Sequence, residues 1–121
     1  MSERAGGLLK WQWSLYPDAH QDRRNLALHV ATAPLFELGT LALIVSPVAG
    51  WPLAAAGALG MLTAVVAQGR GHKLEAVAPA PFRGAADVAA RLFVEQWITF
   101  PRFVLSGRFA RAWVAAGEPR H

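Results

Sequence analysis

The sequence predicts an all-α fold: a small integral membrane protein, with a transmembrane helical hairpin and interfacial amphipathic helices. Three observations carry this. Hydrophobic residues make up 54% of the 121 residues, charged residues only 17%, and the mean hydropathy is +0.26; a soluble domain usually carries about 25% charge. All twelve Lys and Arg lie outside residues 25–69, and Glu37 is the single formal charge inside that stretch. A bilayer core about 30 Å thick needs roughly 20 helical residues per crossing, so this stretch suits two crossings and a short turn.

At 13.0 kDa the chain is one domain, residues 1–121. Residues 1–10 read as a loose tail. Residues 11–24 mix aromatics with charge and suit an interfacial helix or turn. The first crossing is expected over 25–45 and the second over 53–69. Between them, Ser46-Pro47-Val48-Ala49-Gly50-Trp51-Pro52 clusters turn formers, and Trp51 suits a membrane interface. Ala56 and Gly60 form a small-xxx-small pair that lets two membrane helices approach closely. The competing reading is a soluble helical hairpin with a buried core.

The turn carries no Lys or Arg, whereas both flanks are basic. By the positive-inside rule both termini face the cytoplasm. The Ala, Gly and Arg bias resembles a GC-rich bacterial genome, so the expected location is a bacterial inner membrane. No secretory signal pattern is present.

Residues 76–86 hold Pro79, Pro81 and Gly84 and read as a loop. Amphipathic helices are expected over 86–116. Asp87, Arg91 and Glu95 share one face at spacings of four and can pair. Pro101 should break or kink this segment. Beyond it Arg102, Arg108 and Arg111 alternate with Phe103, Phe109 and Trp113, a pattern suited to a helix lying on anionic lipid. Nucleic acid is not an expected partner; membrane lipid is, and a homo-oligomer is possible.

The chemistry-bearing residues are few. Cysteine is absent, which excludes disulfides, thiolate metal sites and a cysteine nucleophile. No phosphate-binding glycine loop and no nucleophile elbow are present. Of four histidines, His121 is terminal and expected to be solvated. His20 and His29 flank the entry to the first crossing, and His72 follows the second. An antiparallel hairpin brings entry and exit together, so these three should converge at one depth. In a continuous helix His20 and His29 would face opposite ways, so the helix must break, most plausibly at Gln21-Asp22-Arg23-Arg24. Neutral imidazole suits zinc, iron, copper or nickel. Tyr16, Asn25, Gln68 and Glu75 could then fix the histidine tautomers. Glu37, about 12 Å deeper than His29 at 1.5 Å per residue, is too far for contact; a structural role, bonded to Thr40, and a role in a substrate channel both remain open.

Two motifs carry a family resemblance. Tyr16-x3-His20-x4-Asn25-x3-His29 precedes Ala33-Pro34-Leu35, and Gln68-x2-Gly71-His72-x2-Glu75 precedes Pro79-Ala80. Together, over residues 11–82, they resemble the 2-hydroxy fatty acid dioxygenases, small membrane enzymes long described as a domain of unknown function. The resemblance implies ferrous iron, O2 and a fatty-acyl substrate shortened by one carbon, as in α-oxidation. It implies His20, His29 and His72 as iron ligands or their neighbours, with Tyr16, Asn25 and Glu75 as candidate catalytic residues. Two other functions fit the same residues: a zinc-dependent membrane hydrolase, and a non-catalytic lipid-binding or assembly protein.

Overall fold

In the computed structural model, which describes residue 4 and residues 6–118, two long helices run antiparallel and the remaining helices gather at one end of them. The order is α1 (Gly7–Leu15), a 3-10 turn (Pro17–Ala19), α2 (Arg23–Ala49), α3 (Trp51–His72), α4 (Ala85–Val94), a π-type turn (Glu95–Thr99), α5 (Phe100–Leu105) and α6 (Arg108–Ala116). The fold is therefore all-α, with no strand among the described residues. The expected loose tail is helical from Gly7 onward. His121 and Arg120 lie outside the described residues.

The hairpin turn is tighter than the sequence suggested. Helix α2 continues through Ser46 and Pro47, and only Gly50 separates it from α3. Pro47 has no N–H to offer the Leu43 carbonyl one turn back. The Ser46 hydroxyl donates to that carbonyl instead, at 2.7 Å. Reversal then falls on Gly50, whose φ of 111° is left-handed backbone that favours glycine. Pro52 sits in the first turn of α3, where its missing N–H costs nothing.

Of the Ala56/Gly60 pair only Gly60 faces α2, where a Cβ would lie 3.3 Å from the Leu35 side chain; Ala56 is exposed. The closest approach is between Gly39 and Gly57: a Cβ on either would lie 2.6 Å from the other's carbonyl oxygen. Only glycine at both places allows that packing. Both helices are long and apolar enough to cross a membrane, and little of either is buried, 22% and 17% of the most apolar stretches. At the turn, Val48 is 94% and Trp51 78% exposed.

At the open end of the hairpin the other helices build the core. Tyr16, Leu26, Ala33, Phe100 and Phe103 are buried together, with Trp13 and Phe109 packed against them. The expected alternation of basic and aromatic residues thus has an inward use. Phe103 packs edge-on against Tyr16 and Trp13, and Arg102 lies 4.0 Å over the Trp13 ring. Beneath this core lies a layer of paired amides. Gln68 and Gln96 exchange two hydrogen bonds, at 3.0 and 2.7 Å, and Gln68 also donates to Thr32. Gln12 donates to the Arg91 carbonyl and accepts from the Thr99 hydroxyl. Each buried amide would be costly alone; satisfied, they fix how the terminal helices dock on the hairpin.

Pro101 does not end its helix. The turn before it widens to a π pattern in which the Phe100 N–H reaches back to the Glu95 carbonyl. A proline here would otherwise press on the carbonyl four residues earlier, and π turns mark such insertions. The chain breaks later, at Gly107, with φ 83°.

Replacing Gly57 by Val should overpack the helix contact and destabilise the fold by about 1–3 kcal/mol. Ala56→Val, on the exposed side, should change stability by less than about 0.5 kcal/mol. Unfolding of the two variants in the same detergent checks this.

Candidate metal centre

Three histidines converge, as the topology of the hairpin requires, and a carboxylate joins them. His20 follows the 3-10 turn, His29 lies in the second turn of α2, and His72 is the last residue of α3. Glu95 opens the π turn. One donor atom from each of these four residues lies within 4.8 Å of the other three.

Local structure positions each group. The chain breaks at residues 20–22, within the expected segment at Gln21 and Asp22, while Arg23 and Arg24 already open α2; Asp22 caps α2 by accepting from the Arg24 N–H at 2.8 Å. Glu75, just past α3, clamps the break. Its carboxylate accepts from the Gln21 N–H at 2.8 Å, the Asp22 N–H at 3.0 Å and the Asn25 side-chain amide at 2.8 Å. This crosslink holds His20 over His29 although nine residues separate them. Gly71 leaves room for Asn25, because a Cβ there would strike the Asn25 side-chain oxygen. Both histidines are almost wholly buried.

The imidazole hydrogens follow from these contacts. His20 Nδ1 lies 2.7 Å from the Tyr16 carbonyl and His29 Nδ1 3.0 Å from the Asn25 carbonyl. A carbonyl only accepts, so each Nδ1 carries a hydrogen, which leaves Nε2 of the neutral ring as the atom that can ligate a metal. The residues expected to fix the tautomers, Tyr16 and Asn25, do so through their backbone carbonyls. Glu75 does so only indirectly, through the helix start, and Gln68 bonds Gln96 and Thr32 instead.

The two Nε2 atoms are 3.4 Å apart. Glu95 Oε2 stands 3.6 Å from His20 Nε2 and 3.4 Å from His29 Nε2. Three donors at these separations can all lie about 2.1 Å from one shared point, the usual length of a metal–imidazole bond. The His72 ring is 4.9 Å from the His20 ring and 5.0 Å from the His29 ring, and its Nδ1 is buried with no hydrogen-bond partner. A buried polar atom left unpaired needs a physical reason, and a cation supplies one. The residues present therefore fit a metal ion.

Electrostatics agree. Burial works against the Glu95 carboxylate, but its contacts with His20 and His29 prevail and hold its carboxyl well below the ordinary value. Burial, reinforced by the Glu95 charge and hydrogen bond, raises the Tyr16 phenol well above its ordinary value. Tyr16 is thus a fixed donor: its hydroxyl gives a 2.9 Å bond to Glu95 Oε2, while its ring stacks 3.8 Å over His20.

The spacing of four puts Glu95 on one helix face with Asp87 and Arg91, able to pair with Arg91. The structure keeps only part of that row: Arg91 and Asp87 are 3.8 Å apart, while Glu95 turns inward. Its spacing to Pro101 was the available signal, since the π turn that aims Glu95 inward sits directly before that proline. Glu37 is half-buried in α2 and makes no hydrogen bond or ion pair among the described residues, and the Thr40 hydroxyl bonds the Phe36 carbonyl instead. It takes no part in the cluster.

Compared with protein-family models, curated proteins and solved structures, the chain matches none of them.

Replacing His20, His29, His72 or Glu95 by Ala should each cut metal affinity more than about 10-fold. Tyr16→Phe, which removes only a supporting bond, should cost about 10-fold. Glu75→Gln should weaken the helix start by about 0.5–2 kcal/mol while the purified protein still takes up one metal per chain. Metal titration of the variants, with thermal unfolding alongside, checks these outcomes.

Proposed function

We propose that the chain is an integral membrane metalloenzyme that holds ferrous iron on His20, His29, His72 and Glu95 and uses O2 to shorten 2-hydroxy fatty acids by one carbon. The observation that carries the metal is the convergence of three imidazoles and one carboxylate, with the Nδ1 atoms of His20 and His29 bonded to carbonyls and their Nε2 atoms facing each other at 3.4 Å. Nitrogen and carboxylate donors suit a non-haem iron that keeps positions open for substrate and O2. The resemblance of the Tyr16–His29 and Gln68–Glu75 motifs supports the choice of iron and of substrate.

The membrane part rests on α2 and α3, which are long, apolar and largely unburied. The cluster lies at the end of the hairpin opposite Gly50, where the basic flanks meet. With those flanks cytoplasmic, the site sits at the inner face of the membrane. A fatty acid dissolved in the lipid can reach it there with its carboxylate at the interface.

The overall change needs no further reductant. A 2-hydroxy acid and O2 yield the acid one carbon shorter, CO2 and water. The bond between C1 and C2 breaks, C2 is oxidised from alcohol to acid, C1 leaves as CO2, and O2 takes up four electrons. Iron would supply the redox partner for O2. The protein's own part is to hold two imidazoles in place through their Nδ1–H bonds, to keep Glu95 ionised through its contacts with His20 and His29, and to steady that carboxylate by the Tyr16 hydroxyl.

Four donors close together also suit zinc, which binds four such ligands but cannot activate O2 by redox. Protein purified anaerobically without a histidine tag should contain about one iron per chain, and should consume one O2 per CO2 released from 2-hydroxyhexadecanoate. Stoichiometric zinc, or iron with no O2 uptake, would overturn this function.

A further inference from the structure

Beside the four donors lies a cavity of about 230 Å³. Three of the donor residues, His20, His72 and Glu95, line it, and so does Arg91. Trp11, Leu15, Val77 and Pro79 supply its apolar wall.

Arg91 is buried yet incompletely paired. Its nearest carboxylate, Asp87, is already taken: Arg4 holds both Asp87 oxygens in a two-pronged contact at 2.5 and 2.9 Å, and the Arg83 N–H adds a third bond. Arg91 keeps only the 3.8 Å approach to Asp87 and one bond to the Pro81 carbonyl at 3.0 Å. Its Nε is buried with no partner. The other acid one turn away, Glu95, is committed to the histidines and Tyr16. Two guanidinium groups thus share one carboxylate, and of these residues Arg91 lines the cavity. The Arg91 guanidinium is held there by the rings of Phe82 at 4.2 Å and Trp11 at 5.1 Å. A buried N–H without an acceptor is costly, and a carboxylate is the group that a guanidinium fork pairs best.

We propose that Arg91 is the carboxylate anchor of this cavity: it binds the head group of an acyl acid so that the carbon next to the carboxylate faces His20, His72 and Glu95. This rests on the function proposed above for the identity of the acid, but not for the anchor itself. At roughly 30 Å³ per water-sized group, the cavity holds about eight such groups. That accommodates a hydroxylated head and a few methylenes, and the rest of a long chain leaves past the apolar wall. This role does not fall to Arg24, Arg70 or Lys73. Arg24 is instead engaged by Asp22, and neither Arg70 nor Lys73 lines this cavity.

The test is calorimetric binding of 2-hydroxyoctanoate and its methyl ester to the full chain in detergent, with metal content measured on every sample. Wild type should prefer the acid to the ester. Arg91→Gln should weaken acid binding on the order of 10- to 100-fold, leave ester binding unchanged and keep its metal. Arg91→Lys, which retains the charge but not the fork, should keep a reduced preference for the acid. Arg111→Gln, in the separate cavity bordered by His20 and Arg108, should behave as wild type. The anchor is refuted if wild type does not distinguish acid from ester, if Arg91→Gln and Arg91→Lys both bind acid as wild type does, or if Arg111→Gln alone carries the loss. Metal-free wild type that still prefers the acid through Arg91 would sink the iron enzyme and leave the anchor standing.

Discussion

The structure turns on two imidazole nitrogens that face each other at 3.4 Å. Each ring donates its Nδ1 hydrogen to a backbone carbonyl four residues earlier. A carboxylate oxygen stands 3.4–3.6 Å from both. Three acceptors this close in a buried place repel one another unless a proton or a cation lies among them. Everything around them maintains that convergence. Glu75 holds the chain break that folds His20 over His29, and Tyr16 keeps Glu95 in place by one hydrogen bond. A metal bound there needs all of these donors unprotonated, which couples its affinity to pH.

The packing of the hairpin serves the same end. Gly39 and Gly57 let α2 and α3 touch through their backbones, which sets where His72 arrives relative to His29. The buried amides of Gln68, Gln96 and Gln12 then key the terminal helices onto that pair. Because those amides pair only in one arrangement, the π turn that carries Glu95 is placed in register with the histidines. The outward face of the hairpin remains apolar and unburied, so the fold divides into a polar, chemically equipped end and a plain apolar shaft.

Much of this was legible in the sequence. The helices follow from the segregation of charge from apolar residues, and the meeting of His20, His29 and His72 follows from topology, since an antiparallel hairpin must bring its two open ends together. The break between His20 and His29 was legible because both rings could not otherwise face inward. Other features depend on contacts that no spacing reveals. The length of α2 depended on the Ser46 hydroxyl standing in for the missing N–H of Pro47. The choice of Gly39 and Gly57 over Ala56 and Gly60 depends on the pairing register of two helices. Glu95 looked like the end of a row with Asp87 and Arg91, because that row assumes a regular helix; the widened turn changes its face. Arg91 was hidden for a different reason, its carboxylate partner having been claimed by Arg4 across 83 residues of chain.

The most direct test of the convergent centre is X-ray absorption at the iron edge of the full chain, loaded anaerobically with one equivalent of ferrous iron in detergent. The account predicts a nearest shell containing three imidazole nitrogens at about 2.1 Å with carboxylate oxygen beside them, and the outer-ring scattering that imidazoles produce. A shell of oxygen atoms alone, as for iron loosely held by surface carboxylates or water, would contradict it.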